Sequence, residues 1–553
     1  MARSMKPKKH YSLNEALLHP DHSRPKSRRD FLAQGFKLGG AMMMGVSMNS
    51  LLSSRAQALS ADLNGGYTLT DPGPGQTCNL NPAGAGRKIP FICFDLAGGA
   101  NISGSNVLVG GPGGQLDLLS AGGYQKLGLP ADLNPNPSSA TDTFIDDSLG
   151  LLFHSQSAML NGIKQSCSTT AMAATNGAVI PSRSDNDTGN NPHNPMYGIY
   201  HAQARGGLVQ LIGSEVSASG GNSMAANSYM ELYPEIRPTK ISSPSDAAGL
   251  VDVGSLNSVF ADSADTLAVM ESMKRVTDHK LRMSDTLLAS SIDTGADLEA
   301  KQRLSCEYLR GADTYEKFDS PDKIDPSKDP LIVGASGIFS QADFDSDRQF
   351  QKTAAVMKLV IDGHAAAGTI EMGGYDYHTG DRNTGEGRDL RAGRCIGACI
   401  EYAMRRQTPL MLYVFSDGSV ASDGTIETMA GLGQGKCVWS GDNSSTGSAF
   451  FLVIDPAGGR PVLLGNDVEE QLRHQQIGWM RSDASVETSA TPAANNVNML
   501  VETVILNYMA LHGEEGLFAA DRGLGTETNN QSYRAFTQLS SVSGGIINPP
   551  PIV

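Results

Sequence analysis

The segment from residue 369 to residue 380 carries the residues whose types and spacing are best suited to chemistry. Its sequence, TIEMGGYDYHTG, places Asp376 and His378 two positions apart, after a short apolar run that breaks at two glycines. A carboxylate and an imidazole together can hold a divalent cation or act as an acid/base pair. The alternative is a solvated turn in which Asp376 hydrogen-bonds its own backbone.

The elements around this segment predict one unit of an α/β sheet. Residues 347–368 have the apolar spacing of a helix, and Gly368 stands where a C-terminal cap belongs. A short strand would follow and end in the glycine-rich loop. Sites in such sheets form at the carboxyl ends of the strands, where Asp376 and His378 would lie.

Three further apolar runs are predicted to be buried strands of the same sheet, at 88–95, 409–415 and 449–454. Oxygen-bearing side chains accompany them: Asp95, Asn101, Ser103 and Ser105 end or follow the first, Asp417 follows the second, and Asp442 precedes the third. Turns rich in side chains that bond the backbone would explain the first group equally well.

Hard oxygen ligands and one imidazole that converge from several strand ends predict a site for a divalent cation. The candidate ligands are Asp376, His378, Asp417, Asp442, Asp95 and Asn101. Such a site suits hydrolysis of a phosphate or sulfate ester, because a cation neutralises the oxyanion and activates a nucleophile. Ser103 or Ser105 is a candidate nucleophile by position alone. The sequence contains no Gly-x-Ser-x-Gly elbow, His-Glu-x-x-His helix or phosphate loop.

The charge balance excludes some partners. The chain of 553 residues has a net charge of −15, and residues 1–58 are basic, so the remainder is more acidic than the total. We therefore expect no nucleic-acid partner and no attraction to anionic membranes. The seven cysteines include no Cys-x-x-Cys pair, which leaves zinc-ribbon and thioredoxin-like sites without support.

The first 58 residues have the order of a signal peptide. Ser27-Arg28-Arg29-Asp30-Phe31-Leu32 precedes an uncharged run to residue 54, and Ala56-Gln57-Ala58 has the small residues that a signal peptidase needs. The paired arginines predict export by the twin-arginine route, with the translocase and signal peptidase as partners. The run is too short and too polar for a permanent membrane span. We expect a periplasmic or otherwise exported mature protein.

The rest of the chain is predicted to form one α/β domain over 59–545. Helices are expected at 149–163, 196–205, 387–406 and 497–511, a strand at 208–212, and a polar loop over 166–195. Residues 247 to 318 have helical apolar spacing and predict a helical insertion. A Pro-rich tail occupies 546–553.

The order of these features resembles the DUF1501 family, exported bacterial proteins related in fold to the alkaline phosphatase/sulfatase superfamily. Several motifs carry the resemblance: the twin-arginine opening at 27–32, FDLAGGAN at 94–101, SRSD at 182–185 ahead of MYGIYH at 196–201, GGYDYH at 373–378, FSDG at 415–418 and GDN at 441–443. It implies a three-layer α/β/α fold with a central, largely parallel sheet and a helical insertion.

The chain departs from the family pattern at three positions. Asn101 stands where the family has Asp, and Asp185 and Asn443 stand where it has His. His193 and His201 are nearby candidates for the missing imidazoles. The resemblance implies an exported metal-dependent hydrolase of a small phosphate or sulfate ester. The alternative is a catalytically degenerate exported binding or assembly protein on the same scaffold, because a resemblance in fold does not establish chemistry.

Overall fold

A computed structural model of the protein describes most of the chain from residue 87 onward. The described residues are 87–184, 192–234, 236–252, 263–283, 301, 304, 311–312, 314–318, 320–375, 377–378, 380, 382–518 and 532–547. The predicted signal peptide and the Pro-rich end at 548–553 lie outside them. The chain divides into two compact units, one of residues 1–80 and 253–319 and the other of residues 81–252 and 320–553.

The larger unit contains the strands. They are β1 (Phe91–Gly99), β2 (Ile145–Leu149), β3 (Leu151–His154), β4 (Thr175–Pro181), β5 (Val209–Gly213), β6 (Thr239–Lys240), β7 (Ala365–Gly373), β8 (Leu410–Gly418), β9 (Val420–Ala421), β10 (Gly441–Asp442), β11 (Ser448–Ile454), β12 (Val542–Ser543) and β13 (Ile546–Ile547).

The described α-helices, in chain order, are α1 (Ala121–Lys126), α2 (Ala158–Ser166), α3 (Thr169–Ala173), α4 (Met196–His201), α5 (Asn227–Met230), α6 (Pro244–Ala248), α7 (Ser263–Met283), α8 (Gln341–Ser346), α9 (Arg348–Ile361), α10 (Arg382–Arg405), α11 (Val468–Gln475) and α12 (Val497–Leu511). Of these, α7 belongs to the smaller unit. In the described part of the chain, none is both long and apolar enough to cross a membrane.

Seven strands form one sheet in the order β4-β11-β8-β1-β7-β5-β6. The pairs β8-β1, β1-β7, β7-β5 and β5-β6 are parallel, whereas β11 runs antiparallel to both β8 and β4. One face of the sheet packs in a core with α4 and α12, and α9 packs on the other face through Val356 and Val360. The predicted three-layer α/β/α class with a largely parallel central sheet is therefore confirmed.

Several predicted boundaries are wrong. The predicted helix 347–368 ends at Ile361, and Gly368 lies inside β7, because the apolar strand residues from Ala365 onward continue the apolar spacing of α9. The left-handed turn between them belongs to Gly363, with φ of 86°. Likewise β1 continues beyond residue 95 to Gly99, so Asp95 lies within the strand and not at its end.

Two predictions between residues 145 and 195 are also wrong. The predicted helix 149–163 is the β2-β3 hairpin followed by α2, because Gly150, with φ of 78°, turns the chain between the two strands. His154 is thus a strand residue. The predicted polar loop 166–195 contains α3 and the buried edge strand β4.

Helix α10 lies against α2 at unusually short range because glycines face the neighbouring backbone. A Cβ atom built on Gly393 would lie 2.0 Å from the carbonyl oxygen of Met159, and one on Gly162 would lie 2.0 Å from that of Leu390. Only glycine permits these backbones to approach so closely. This contact fixes α10, which begins beside the predicted site.

We predict that Gly393→Ala lowers the free energy of unfolding by about 1–3 kcal/mol, because the added methyl group overpacks the contact between α2 and α10. The matched control is Gly387→Ala on the same helix, where an added Cβ meets no atom within 4 Å. That change should raise stability by up to about 1 kcal/mol, since alanine is the better helix former. Urea denaturation measures both, and equal effects of the two variants would contradict the packing argument.

Candidate functional site

The carboxyl ends of β1, β7 and β8 form the edge at which the predicted site residues meet. β1 ends in Gly98 and Gly99, and Gly98 has φ of 114°, a conformation that favours glycine. The Gly98 N–H donates a 3.1 Å hydrogen bond to Oδ1 of Asp417. A Cβ atom on Gly99 would lie 3.5 Å from Oδ1 of Asp442. Asp417 and Asp442 therefore lie beside consecutive residues of one glycine turn.

His378 and Asp442, hereafter the candidate pair, come together at this edge. Nε2 of His378 lies 3.9 Å from Oδ2 of Asp442, and the two side chains are 31% and 45% exposed. Asp442 is in β10, which pairs with β9 directly after β8. The predicted meeting of an imidazole with a carboxylate distant in sequence is thus present, and both groups are accessible from solvent. Asp376 lies outside the described residues.

Asp417 belongs to β8 and is nearly fully buried. Besides the bond from Gly98, its backbone carbonyl accepts a hydrogen bond from the Ser184 hydroxyl. The Ser184 hydroxyl also lies 3.1 Å from Nε2 of His193, a buried imidazole that stacks on Phe415. Burial lowers the pKa of His193 to about 3, so this imidazole is neutral at ordinary pH.

Asp95 does not join the exposed groups of the candidate pair. It is fully buried, and its carboxylate accepts hydrogen bonds from the N–H groups of Asn222 and Ser223, both at 2.8 Å, and from the Ser223 hydroxyl at 2.9 Å. A Cβ on Gly221 would lie 2.5 Å from Oδ2 of Asp95, so the loop closes tightly over the carboxylate. Burial raises the pKa of Asp95 to about 6. These contacts assign Asp95 to holding the 221–223 loop.

The candidate nucleophiles are also buried. The Ser105 hydroxyl accepts a hydrogen bond from the Asn101 amide, and the Ser103 hydroxyl bonds that of Ser448. Each serine is only 1% exposed. The turn after β1 is therefore closed by its own hydrogen bonds. In the described part of the chain, neither serine hydroxyl contacts His378 or Asp442.

Tyr377 attaches the His378 segment to this turn. Its hydroxyl accepts a 2.9 Å hydrogen bond from the Asn101 N–H, while the Asn101 carbonyl accepts one of 2.8 Å from the Asn106 amide. The same Asn106 amide donates to Oδ2 of Asp389 on α10 at 2.8 Å. A path of hydrogen bonds thus runs from α10 to the residue next to His378.

Sequence reasoning missed a group of buried charges beside this path. Arg382, Glu386 and Asp389 lie on α10, and Lys436 lies on the segment that leads to β10; all four are at most 4% exposed. Burial, followed by the charge of Glu386, raises the pKa of Asp389 to about 7. The i, i+4 spacing of Arg382 and Glu386 was a weak signal, because such pairs are common on solvated helix surfaces.

The remaining predicted positions divide as follows. Asn443 uses its side-chain oxygen to accept hydrogen bonds from the backbone N–H and the hydroxyl of Ser445, and so caps a short turn. His201 is on α4, where its Nδ1 lies 2.8 Å from the Tyr233 hydroxyl. Asp185 lies outside the described residues. Among the contacts of the described residues, none joins Asn443 or His201 to the candidate pair.

The side chains at this edge are of the kinds that bind a divalent cation, but they are fewer than a cation needs. The candidate pair supplies one imidazole and one carboxylate, which are suitable ligands. Across the described ranges, no cluster of three His, Cys, Asp or Glu side chains could hold a metal ion. A cation at this edge would therefore need ligands besides the pair. Water could supply them, and Asp376 is a further candidate from its position in the sequence.

The chain matches no known protein family, no curated protein and no solved structure. What the fold and the site define is an α/β protein with a polar site at the carboxyl edge of a largely parallel sheet. Membership of the DUF1501 family stays a prediction from the motifs.

We predict that Asp389→Asn changes the pH dependence of stability. The raised pKa of about 7 means that the folded protein binds this proton more tightly than the unfolded chain between about pH 4 and 7. The stability contributed by Asp389 is therefore full below about pH 4 and is lost as pH rises through 7. Glu386, Arg382, Lys436, Tyr375 and Tyr377 are the charged or titratable groups that face it.

Asparagine keeps the acceptor for Asn106 and has no charge, so Asp389→Asn should gain stability relative to wild type as pH rises from 4 to 8. Thermal unfolding of both proteins at these two pH values measures the difference. If the gap between variant and wild type is the same at both, the buried carboxyl does not titrate as stated.

Proposed function

We propose that the protein is an exported, metal-dependent hydrolase of the alkaline phosphatase/sulfatase type that acts on a small phosphate or sulfate ester. The observation that carries the proposal is the 3.9 Å approach of His378 to Asp442, beside the glycine turn that also contacts Asp417. An acid and an imidazole from two parts of the chain approach each other at the edge where ligands bind in sheets of this kind.

Water is the nucleophile in this proposal, because Ser103 and Ser105 are buried and hydrogen-bonded. His378 and Asp442 would hold a divalent cation, which would lower the pKa of the attacking water so that its proton passes to solvent. The oxygen of water then bonds to phosphorus or sulfur while the bond from that atom to the ester oxygen breaks, and the leaving alkoxide takes up a proton from solvent to become the alcohol. A divalent cation bound at this edge would neutralise the charge that develops on the ester oxygens.

Gly99 lies next to the carboxylate of Asp442, so the size of the side chain at position 99 affects access to that carboxylate. Any larger side chain would project toward the Asp442 carboxylate, the carbonyl of Ser419 and the side chain of Val420. A Cβ atom at position 99 would itself be in ordinary van der Waals contact with the Asp442 carboxylate, and only a longer side chain would cover part of it.

A binding or assembly protein without catalysis is the second candidate. It is favoured by the engagement of Asn443 in a turn and of Asp95 in a loop, because both side chains are committed to structure. Such a protein would bind a cation or an anionic ester without turning it over.

We predict that the purified full chain binds one Mn²⁺ ion through the candidate pair. His378→Ala, Asp442→Asn and Asp376→Ala should each weaken Mn²⁺ binding by about tenfold or more, because each change removes a ligand. The control is Asp423→Asn in the segment between β9 and β10, whose carboxylate accepts only from Thr425 in the described contacts. Elemental analysis and titration followed by electron paramagnetic resonance measure binding. An absence of binding to wild type would refute the metal site.

We predict different effects of the two groups of residues on turnover of aryl phosphates and sulfates. His378→Ala should reduce kcat by about 100-fold or more, because it removes a ligand of the cation that activates water. Ser103→Ala and Ser105→Ala should retain kcat within about tenfold, because no nucleophile is lost. If a serine variant is inactive while folded, the nucleophile is that serine. If wild type binds Mn²⁺ and turns over no ester, the binding function replaces the hydrolase.

A further inference from the structure

The two members of the candidate pair lie on separate segments of the chain. His378 follows β7, in the connection to α10, whereas Asp442 ends a hairpin that starts at β9 and comprises residues 420–442. The paired residues of β9 and β10 are two on each strand, and the N–H groups of Ser422 and Cys437 donate hydrogen bonds to the carbonyls of Lys126 and Gly128. The distance between His378 and Asp442 depends in addition on what fastens the hairpin to the start of α10.

A buried carboxylate takes part in that connection, beside the side-chain oxygen of Asn383 on α10, which accepts a 2.8 Å hydrogen bond from the Gly433 N–H. Oε1 of Glu386 lies 2.9 Å from Nε and 2.7 Å from Nη2 of Arg382, one turn earlier on α10. Oε2 of Glu386 lies 2.6 Å from Nζ of Lys436, which belongs to the hairpin. All three side chains are at most 5% exposed, so solvent does not screen these contacts. We call Arg382, Glu386 and Lys436 the charge clamp.

The clamp reaches both segments of the site. Nη1 of Arg382 donates a 3.0 Å hydrogen bond to the carbonyl of Cys437, and its guanidinium lies over the Trp439 ring, 4.3 Å from the ring centroid. The Trp439 carbonyl accepts a 2.8 Å hydrogen bond from the N–H of Gly380, two residues after His378. A continuous set of contacts therefore links Glu386 to the hairpin strand that carries Asp442 and to the segment that carries His378.

The burial of these charges needs an explanation. An apolar contact would join a hairpin to a helix at lower cost, because two cations and a carboxylate lose their hydration on burial. Hydrogen bonds from a guanidinium and an ammonium group to one shared carboxylate have strict geometry, which an apolar contact lacks. Buried ionic groups of this kind can specify one arrangement among several that are similarly stable.

The geometry points to Glu386 as the positioning residue of the candidate pair. Glu386 acts through the clamp and not by direct contact with the pair; it holds the hairpin and the start of α10 in the one arrangement that brings the imidazole to the carboxylate. The effect of Glu386 on ligand binding rests on the proposed function of this site. Its effect on the distance between His378 and Asp442 can be tested independently of that function.

The direct test measures proximity in the full chain. His378→Cys and Asp442→Cys are combined, and the rate of cross-linking by a short bifunctional maleimide is compared in three backgrounds: unchanged, Glu386→Gln and Glu401→Gln. The five described native cysteines are buried, and Cys78 and Cys306 are replaced by serine throughout. Glu401 is the matched control, because it forms a 2.9 Å ion pair with Arg405 near the other end of the same helix.

We expect Glu386→Gln to slow cross-linking by about tenfold or more, because two buried cations lose their partner and the hairpin moves. Glu401→Gln should lower the unfolding temperature and leave the cross-linking rate unchanged. Equal rates in the Glu386→Gln and unchanged backgrounds would overturn the inference. Circular dichroism at the assay temperature confirms that each protein is folded.

Lys436→Gln serves if Glu386→Gln does not fold. It removes the hairpin arm and leaves Glu386 paired with Arg382, so cross-linking should slow by a smaller factor in the same direction. An unchanged rate would again overturn the inference. The corresponding Mn²⁺ titrations use native His378 and Asp442: loss of affinity in Glu386→Gln alone supports the positioning role in binding. Failure of the wild type to bind Mn²⁺ refutes the proposed function, and the cross-linking rates then decide the role of Glu386 by themselves.

Discussion

The parallel pairing of β1 with both β7 and β8 is the constraint on which the rest of the structure depends. Phe91 is in register with Ala367 on one side and with Met411 on the other, so the three strands run together and reach the same edge. Backbone hydrogen bonds set this alignment, and the apolar faces bury it between helices. The glycine turn at the end of β1 and the carboxylate of Asp417 lie at that shared edge.

Beneath the exposed pair lies a layer of buried polar groups that maintain the shape of the edge. The Asp95 carboxylate closes one loop, and the Asn101 side chain closes the turn after β1. Each buried group has hydrogen-bond partners that offset much of the cost of its desolvation. Because these groups are already engaged, His378 and Asp442 are the accessible members of the candidate ligands among the described residues.

The sequence was a good guide to the class of fold. Long apolar runs such as 409–415 predict buried strands, and the polar residues that follow them predict the edge. Boundaries failed where one apolar pattern continued into another, as at the junction of α9 and β7, because periodicity does not mark the residue at which a helix becomes a strand. Glu386 and Lys436 could not be recognised, since only the tertiary structure shows that they are buried together.

The accessibility of a side chain was the other property that the sequence could not supply. Asp95 and Asp442 are both aspartates near strands, yet one is enclosed by backbone N–H groups and the other reaches solvent. Asp95 is buried because the 221–223 loop, more than a hundred residues away in sequence, covers its carboxylate. A convergent set of ligands predicted from strand ends therefore separates, in three dimensions, into structural and accessible members.

The central position of β1 also has a consequence for biosynthesis. This strand is made early, but the first of its neighbours begins at residue 365 and the other at residue 410. During elongation its apolar side chains have no sheet to join, and the nascent chain must carry them exposed through most of translation. A chaperone that shields extended apolar segments would have its main task here, until the ribosome has delivered the two flanking strands.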